Sequence, residues 1–95
     1  MYSIIRTHDF EKSYKKIKRS GQLKVKTKVK LEEVIGLLAS GQKIPLSCKD
    51  HQLMGELQHY RECHIKGDLL LIYQIRKEEL LLVLVDLGTH SYLRI

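Results

Sequence analysis

Three of the five histidines of the chain lie in two short polar stretches, residues 49–68 and 88–91. They are His51, His64 and His90. A histidine side chain has an unperturbed pKa of about 6.5, so it can accept or donate a proton around neutral pH. Several such groups near one phosphodiester suit RNA cleavage, in which a base removes the 2′-hydroxyl proton and an acid protonates the departing 5′-oxygen.

Charged residues accompany these histidines. Asp68 follows the second of them by four residues, across a tight turn that brings both to the same end of a sheet. Its carboxylate can orient an imidazole, keep it protonated, or act as the base itself. Lys49 and Arg61 supply positive charge that can hold a phosphate. A structural ion pair of Arg61 with Glu62 or Asp86 is the alternative interpretation.

Zinc binding is a second possibility for this region, because Cys48 and His51 are three residues apart and Cys63 is followed by His64. Adjacent residues of a strand point to opposite faces, so Cys63 and His64 cannot easily share one ion. We therefore expect neither a metal nor another cofactor. The two remaining histidines are interpreted as surface residues.

The length and composition predict one domain, residues 1–95, around a single modest core. The chain has 95 residues, 43% of them hydrophobic, and no apolar run approaches the roughly 20 residues of a membrane span. The N-terminal residues lack the features of a signal peptide. Two cysteines give no disulfide framework. We expect a cytoplasmic protein with reduced thiols and no membrane partner.

The charge of the chain is concentrated in its first half. Residues 1–50 hold 12 lysines and arginines against 5 acidic residues, whereas residues 51–95 hold 5 against 6. A basic half favours polyanions, nucleic acid above all, and accelerates their encounter with the protein. A solvated, lysine-rich helical surface explains the composition equally well.

The first half of the chain predicts one strand and two helices. Residues 2–6 are rich in β-forming types and form the strand. The first helix follows a cap at Thr7 or Asp9 and ends at Gly21, and the second helix covers residues 23–40. Each helix has one apolar stripe at helical spacing. The stripe residues are Phe10, Tyr14 and Ile17 in the first helix, and Leu31, Val34, Ile35 and Leu38 in the second.

The second half predicts three strands after a loop at residues 42–55. The strands cover residues 60–65, 68–75 and 79–87. A two-residue turn at Lys66-Gly67 joins the first two strands, and residues 88–95 form a short tail. The middle strand is apolar on both faces, so it should be central in the sheet. The order βααβββ predicts an α+β fold, an antiparallel sheet with the N-terminal helical hairpin packed on one face.

Three motifs of the second half form a specific combination. They are Lys49-Asp50-His51-x-Leu53-x-Gly55, Tyr60-Arg61-Glu62-Cys63-His64-Ile65-x-x-Asp68-x-x-Leu71-Ile72-Tyr73, and Leu87-Gly88-Thr89-His90-Ser91. With the β-α-α start, this combination resembles the YafQ branch of the RelE/ParE superfamily of type II toxins. The resemblance covers nearly the whole chain and implies the RelE-like fold.

The resemblance also implies a function and roles for individual residues. It implies a small bacterial mRNA interferase, an endoribonuclease that cleaves mRNA, usually on the translating ribosome, and so inhibits translation. The family's functional residues match His51, His64, Asp68 and His90, and the last histidine of the family is regarded as the proton donor. We therefore expect His90 to be the general acid and the other three to supply the base and the orienting charge. The expected cleavage leaves a 2′,3′-cyclic phosphate.

Three positions depart from the family's pattern. Where the family commonly has an arginine that helps to hold the scissile phosphate, this chain has Asp86. The tryptophan that often follows the aspartate is Leu69, and the aromatic residue expected four positions after the last histidine is Arg94. We expect Arg94 or Arg61 to supply the missing positive charge. Lys49 and the helix lysines are expected to hold RNA with them.

The resemblance implies a cognate antitoxin encoded by an adjacent gene, with mRNA and the ribosome as further partners. An acidic, partly disordered antitoxin segment would fit the basic helices or the histidine edge. Two rival hypotheses are a ParE-like toxin that binds a protein target such as gyrase, and a catalytically degenerate RNA-binding module. The three-histidine set favours the nuclease, because ParE-like relatives lack such a set.

Overall fold

Five strands and three helices make up the computed structural model of the chain, which describes residues 1–95. The strands are β1 (Ser3–Arg6), β2 (His51–Gln52), β3 (Arg61–Lys66), β4 (Leu69–Arg76) and β5 (Leu81–Gly88), and the helices are α1 (His8–Arg19), α2 (Val25–Ala39) and α3 (His90–Leu93). Single 3₁₀ turns occupy Leu46–Cys48, Gly55–Leu57 and Lys77–Glu79. None of the helices combines the length and the apolar character needed to cross a bilayer.

One sheet contains all five strands, in the order β1-β5-β4-β3-β2. The central position of β4 agrees with its two apolar faces. Three of the neighbouring pairs are antiparallel, whereas β1 runs parallel to β5. The predicted α+β class and the order of the predicted elements are therefore confirmed, but the sheet is mixed rather than wholly antiparallel.

Helix α1 begins at the predicted cap. The Thr7 hydroxyl accepts a hydrogen bond from the Phe10 N–H at 3.0 Å and donates one to the Val85 carbonyl at 2.7 Å, so the cap also attaches the helix to β5. Acidic residues occupy the first turn and basic residues the last, which suits the helix dipole. The chain then reverses at Gly21, whose φ of +79° is accessible mainly to glycine.

The hydrophobic core lies between the helices and one face of the sheet. Its 13 buried residues come from both long helices, from the Leu46–Cys48 turn and from β3, β4 and β5. Phe10 of α1 and Leu31, Val34 and Leu38 of α2 are members, as their helical spacing predicts. The helical hairpin therefore covers one face of the sheet and leaves the other face free of helices α1 and α2.

Alternation along β3 and β4 divides their side chains between the two faces of the sheet. Cys63 of β3 and Leu71 of β4 belong to the helix-side core. Glu62 pairs with Ile72 across the two strands, and His64 pairs with Leu70. Leu70 and Ile72 are 0% and 6% exposed although neither belongs to the helix-side core. The far face thus combines apolar residues of β4 with polar residues of β3.

The predicted boundaries are wrong at four places in the second half, one of them the start of the last strand, which lies at Leu81 rather than at residue 79. The turn between β3 and β4 falls at Gly67-Asp68 rather than one residue earlier, because a register shift between His64 and Lys66 lengthens β3. The loop at residues 42–55 contains the short strand β2, and the tail at residues 88–95 contains α3. Each of these pieces is too short to show a hydrophobic period.

Candidate active site

Three histidines from separate parts of the chain converge on one carboxylate oxygen. The Nε2 atoms of His51, His64 and His90 lie 3.8, 3.6 and 3.6 Å from Oε1 of Glu62. These histidines belong to β2, β3 and α3 respectively. The structure therefore brings together the three histidines that the sequence singles out, around a glutamate that it does not.

The sheet determines this arrangement. Glu62 and His64 are two residues apart on β3, so their side chains share a face. His51 is paired with Glu62 across β2 and β3. His90 reaches the cluster from the β5 side of the sheet. Gly88, at the end of β5, pairs with Leu70 of β4, and Leu70 also pairs with His64 of β3.

Glu62 is the candidate site residue that the sequence interpretation missed. Its side chain is only 4% exposed, whereas those of His51 and His90 are 52% and 53% exposed. A buried carboxylate without partners would be costly, and here its partners are the three imidazoles. The i, i+2 spacing of Glu62 and His64 on one strand was the available signal. In the sequence, the neighbouring Arg61 instead favours a local ion pair with Glu62.

The exposed side of the cluster is open to a large substrate. The His64 side chain is 28% exposed, and its ring centroid lies 5.9 Å from that of His90 with the rings tilted by 59°. All three imidazoles therefore have surface in solvent, while the glutamate beneath them does not. This geometry suits a substrate that lies across the surface of the sheet.

The loop before β2 determines which nitrogen of His51 carries the proton. Its Nδ1 lies 2.8 Å from the carbonyl oxygen of Lys49. Because a carbonyl oxygen only accepts, Nδ1 must donate this hydrogen bond. In the neutral ring, Nε2 is then the bare acceptor, and it is this atom that faces the cluster. His51 is thus oriented to take up a proton.

A second group of polar side chains, Asp50, Arg61 and Tyr73, holds the loop before β2 on the sheet. The Arg61 guanidinium donates to the Asp50 carboxylate, with Nη2–Oδ2 and Nε–Oδ1 distances of 3.0 and 3.3 Å, and the Tyr73 hydroxyl donates to Asp50 as well. The hydrogen bond to Asp50 raises the pKa of Arg61. Burial, followed by the Asp50 hydrogen bond, raises the pKa of Tyr73. The ion-pair partner of Arg61 is therefore Asp50, not Glu62 or Asp86.

The other predicted site residues surround the cluster without joining it. Asp68 is exposed in the β3–β4 turn, and no histidine lies within 4.0 Å of its carboxylate. It lines a groove of about 210 Å³ together with Lys66 and Thr89. Lys49 and Arg94 are exposed, have positive φ angles of 49° and 61°, and make no ion pair.

The cluster has a donor set that suits a transition metal. One oxygen of Glu62 and one imidazole nitrogen each of His64 and His90 lie within 4.8 Å of one another. Carboxylate and imidazole donors are common ligands of Zn²⁺ and Cu²⁺. The cysteine-containing zinc set considered from the sequence is not formed, because Cys48 and Cys63 are both buried in the helix-side core.

The fold is that of small bacterial toxins of known structure. A metal-bound toxin from Helicobacter pylori has 44% sequence identity and a TM-score of 0.86, with 98% of this chain and 99% of that chain aligned. YafQ in the Escherichia coli DinJ–YafQ complex has 29% identity and a TM-score of 0.81, with 98% of each chain aligned.

Sequence comparison identifies the family. The family model for YafQ, the bacterial toxin of a type II toxin–antitoxin system, matches residues 2–95, and the chain belongs to this family. The mRNA interferase toxin YafQ of Escherichia coli K12 is 32% identical over 91 residues, which span 95% of this chain and 97% of the relative. A relative from Haemophilus influenzae matches locally, with 58% identity over 31 residues that span 30% of its length. The predicted resemblance to YafQ toxins is confirmed.

Proposed function

We propose that the chain is an endoribonuclease toxin that cleaves mRNA by histidine-based general acid–base catalysis and thereby inhibits translation. The observation that carries the proposal is the convergence of three solvent-accessible imidazoles on one buried carboxylate. The Escherichia coli relative is named an mRNA interferase toxin, which supports the same substrate. The basic first half of the chain supports a polyanionic substrate.

His51 is the proposed general base. Its Nδ1–H is donated to the Lys49 carbonyl, so Nε2 is the unprotonated nitrogen of the neutral ring and can remove the proton of a 2′-hydroxyl. The 2′-oxygen then attacks phosphorus, forming the 2′-O–P bond. The P–O5′ bond breaks, which leaves a 2′,3′-cyclic phosphate on one fragment and a 5′-hydroxyl on the other.

His90 is the proposed general acid, because the matching histidine of the family is regarded as the proton donor. It would protonate the departing 5′-oxygen. The charge of Glu62 faces an imidazolium at any of the three histidines and is therefore the proposed orienting and stabilising charge. His64 lies 5.9 Å from His90, ring centroid to ring centroid, and is proposed to support it. Asp68, in the adjacent turn, is proposed to act on the RNA rather than on an imidazole.

Positive charge for the scissile phosphate is proposed to come from Lys49 and Arg94. Both are exposed and neither has a carboxylate partner. Arg61 was an equal candidate from the sequence, but its guanidinium is engaged by Asp50. We therefore propose that Arg61 contributes to RNA binding mainly by holding the loop that carries Lys49 and His51.

The proposed proton transfers use only side chains of the chain. A metal held by Glu62, His64 and His90 would supply Lewis-acid polarisation of a phosphate oxygen. It would also occupy an imidazole nitrogen of His90, the proposed proton donor of the acid–base route. The two routes therefore predict different effects of a chelator: activity is lost in the metal route and persists in the acid–base route.

Incubation of the purified chain with mRNA, with and without ribosomes, tests the proposal. We expect cleavage with 2′,3′-cyclic phosphate ends that persists in a chelator. His90→Ala should lower the rate by about 10²- to 10⁴-fold, the contribution of one acid–base group. His59→Ala, which removes a histidine outside the cluster, is the matched control. Binding of mRNA without cleavage would favour the degenerate RNA-binding module. Inhibition of gyrase without cleavage would favour the ParE-like alternative.

We further propose that an antitoxin is the physiological partner. The Escherichia coli YafQ toxin has been crystallised with the DinJ antitoxin, and this chain belongs to the same family. The exposed lysines of α1 and α2 provide a surface for an acidic antitoxin segment. Co-expression with the product of an adjacent short gene should restore growth, and failure to form a complex with that product would contradict this partner.

A further inference from the structure

The short helix α3 carries His90 at its first position. Contacts with other elements of the fold hold this helix in place. It has four residues and none of them is buried. A single helical turn is not stable by itself, because nucleation of a helix is unfavourable. One such contact comes from Tyr92. Its ring covers Gly88 so closely that a Cβ atom added to the glycine would lie 2.5 Å from the ring.

A chain of hydrogen bonds joins Tyr92 to α1 and β5. The Oγ of Ser13 lies 3.0 Å from the Tyr92 hydroxyl and 2.6 Å from Oδ1 of Asp86. A carboxylate only accepts, and serine has one hydroxyl proton, so Ser13 donates to Asp86. Tyr92 must therefore donate to Ser13. The Leu87 N–H donates to the same Asp86 oxygen at 2.8 Å, which fixes the acceptor on β5.

The middle of this chain is shielded from water. Ser13 is 2% exposed, so a lost partner would leave a polar group that water cannot easily satisfy. The Lys16 ammonium lies 4.9 Å from the centroid of the Tyr92 ring, in the range of a cation–π contact. Two residues of α1, one turn apart, thus contact the same tyrosine of α3.

We propose that Ser13, Asp86 and Tyr92 are positioning residues that set the His90 imidazole against Glu62. The inference rests on the proposed function, in which His90 is the general acid. The distance of 3.6 Å from His90 to Glu62 depends on where the first residue of α3 lies, and these contacts determine that position. Asp86 acts here through Ser13 and Tyr92, not on the phosphate.

Removal of single hydroxyl groups tests this role. Tyr92→Phe deletes the donor and keeps the ring, and Ser13→Ala deletes the link to Asp86. Both should lower kcat by about 10- to 100-fold with KM unchanged, the size of effect that a misplacement of about 1 Å can produce. Tyr14→Phe is the matched control, because Tyr14 lies on the same helix and packs against Phe10.

A second readout separates this inference from the proposed function. The His64 and His90 rings are close enough for an NMR NOE between their protons. The NOE should weaken in Tyr92→Phe and Ser13→Ala and persist in Tyr14→Phe. A weakened NOE with unchanged kcat would support the positioning role and contradict the acid role of His90. An unchanged NOE would overturn the inference, whether or not kcat falls. If Ser13→Ala does not fold, the more exposed Tyr92→Phe decides alone.

Discussion

Glu62 is the residue on which the electrostatics of the site depend. Its side chain is 4% exposed and beside it lie imidazoles from three elements of the fold. Replacement by glutamine keeps the shape and removes the charge that an imidazolium would face. Low local dielectric makes that charge count for more than it would in water.

Glu62→Gln is therefore expected to lower kcat by about 10²- to 10⁴-fold, within the range known for acid–base groups and their orienting carboxylates. The measurement is single-turnover cleavage of a short RNA. Glu56→Gln, an exposed change of the same kind, serves as the control and should match wild type. Equal rates for Glu62→Gln and wild type would show that the buried charge has no part in the reaction.

The burial of Cys63 leads to a prediction about the stability of the fold at high pH. Burial raises the pKa of its thiol to about 12, so the folded chain keeps a proton that the unfolded chain loses above about pH 8.5. Stability from this thiol is thus complete below about pH 8.5 and declines as the pH rises toward 12. Burial acts on Tyr73 in the same direction, at still higher pH.

The free energy of unfolding should therefore fall between pH 8.5 and 10.5 by up to about 1.4 kcal/mol per pH unit more in wild type than in Cys63→Ala. Urea denaturation at a series of pH values measures this difference. The two proteins should have parallel pH profiles below pH 8. Parallel profiles up to pH 10.5 would mean that the thiol ionises in the folded chain as easily as in the unfolded chain.

At the scale of secondary-structure elements, the places of long elements with a periodic sequence can be predicted, whereas the positions of single turns cannot. The apolar stripes of α1 and α2 and the two-sided apolar run of β4 predict their places in the fold, because burial acts on many residues of each element at once. The position of Asp68 could not be predicted in this way. A shift of one residue in the β3 register moves it into the turn.

The candidate site illustrates the same limit. The sequence indicates the three histidines by type and motif, but the choice among Glu62, Asp68 and Asp50 as their partner depends on register and pairing. β2 has only two residues, yet its pairing with β3 places His51 beside Glu62. Arg61, next to Glu62 in sequence, faces the other way and binds Asp50. Long-range pairing of this kind leaves no periodic trace in the sequence.

At the scale of the whole molecule, the proposed chemistry and the charge distribution both favour RNA as the substrate. The net charge is +6, and the excess lies in the half of the chain that forms β1, α1 and α2. The histidine cluster, in contrast, is built by β2, β3 and α3. We therefore expect the helices to attract RNA in a way that is largely independent of the groups proposed to cleave it.

Two matched pairs of substitutions on the helical hairpin test whether the charge of the helices affects RNA binding without affecting cleavage. Lys12→Gln with Lys15→Gln lowers the net charge from +6 to +4, and Glu32→Gln with Glu33→Gln raises it from +6 to +8. The first pair should weaken binding of a single-stranded RNA and the second should strengthen it, with kcat unchanged in both. Each lost phosphate contact should reduce the slope of log K against log salt by about 0.7. The measurement is fluorescence anisotropy over a range of salt concentrations. Binding that is insensitive to salt, or that changes in the same direction in both variants, would contradict a charge-driven role for the helices.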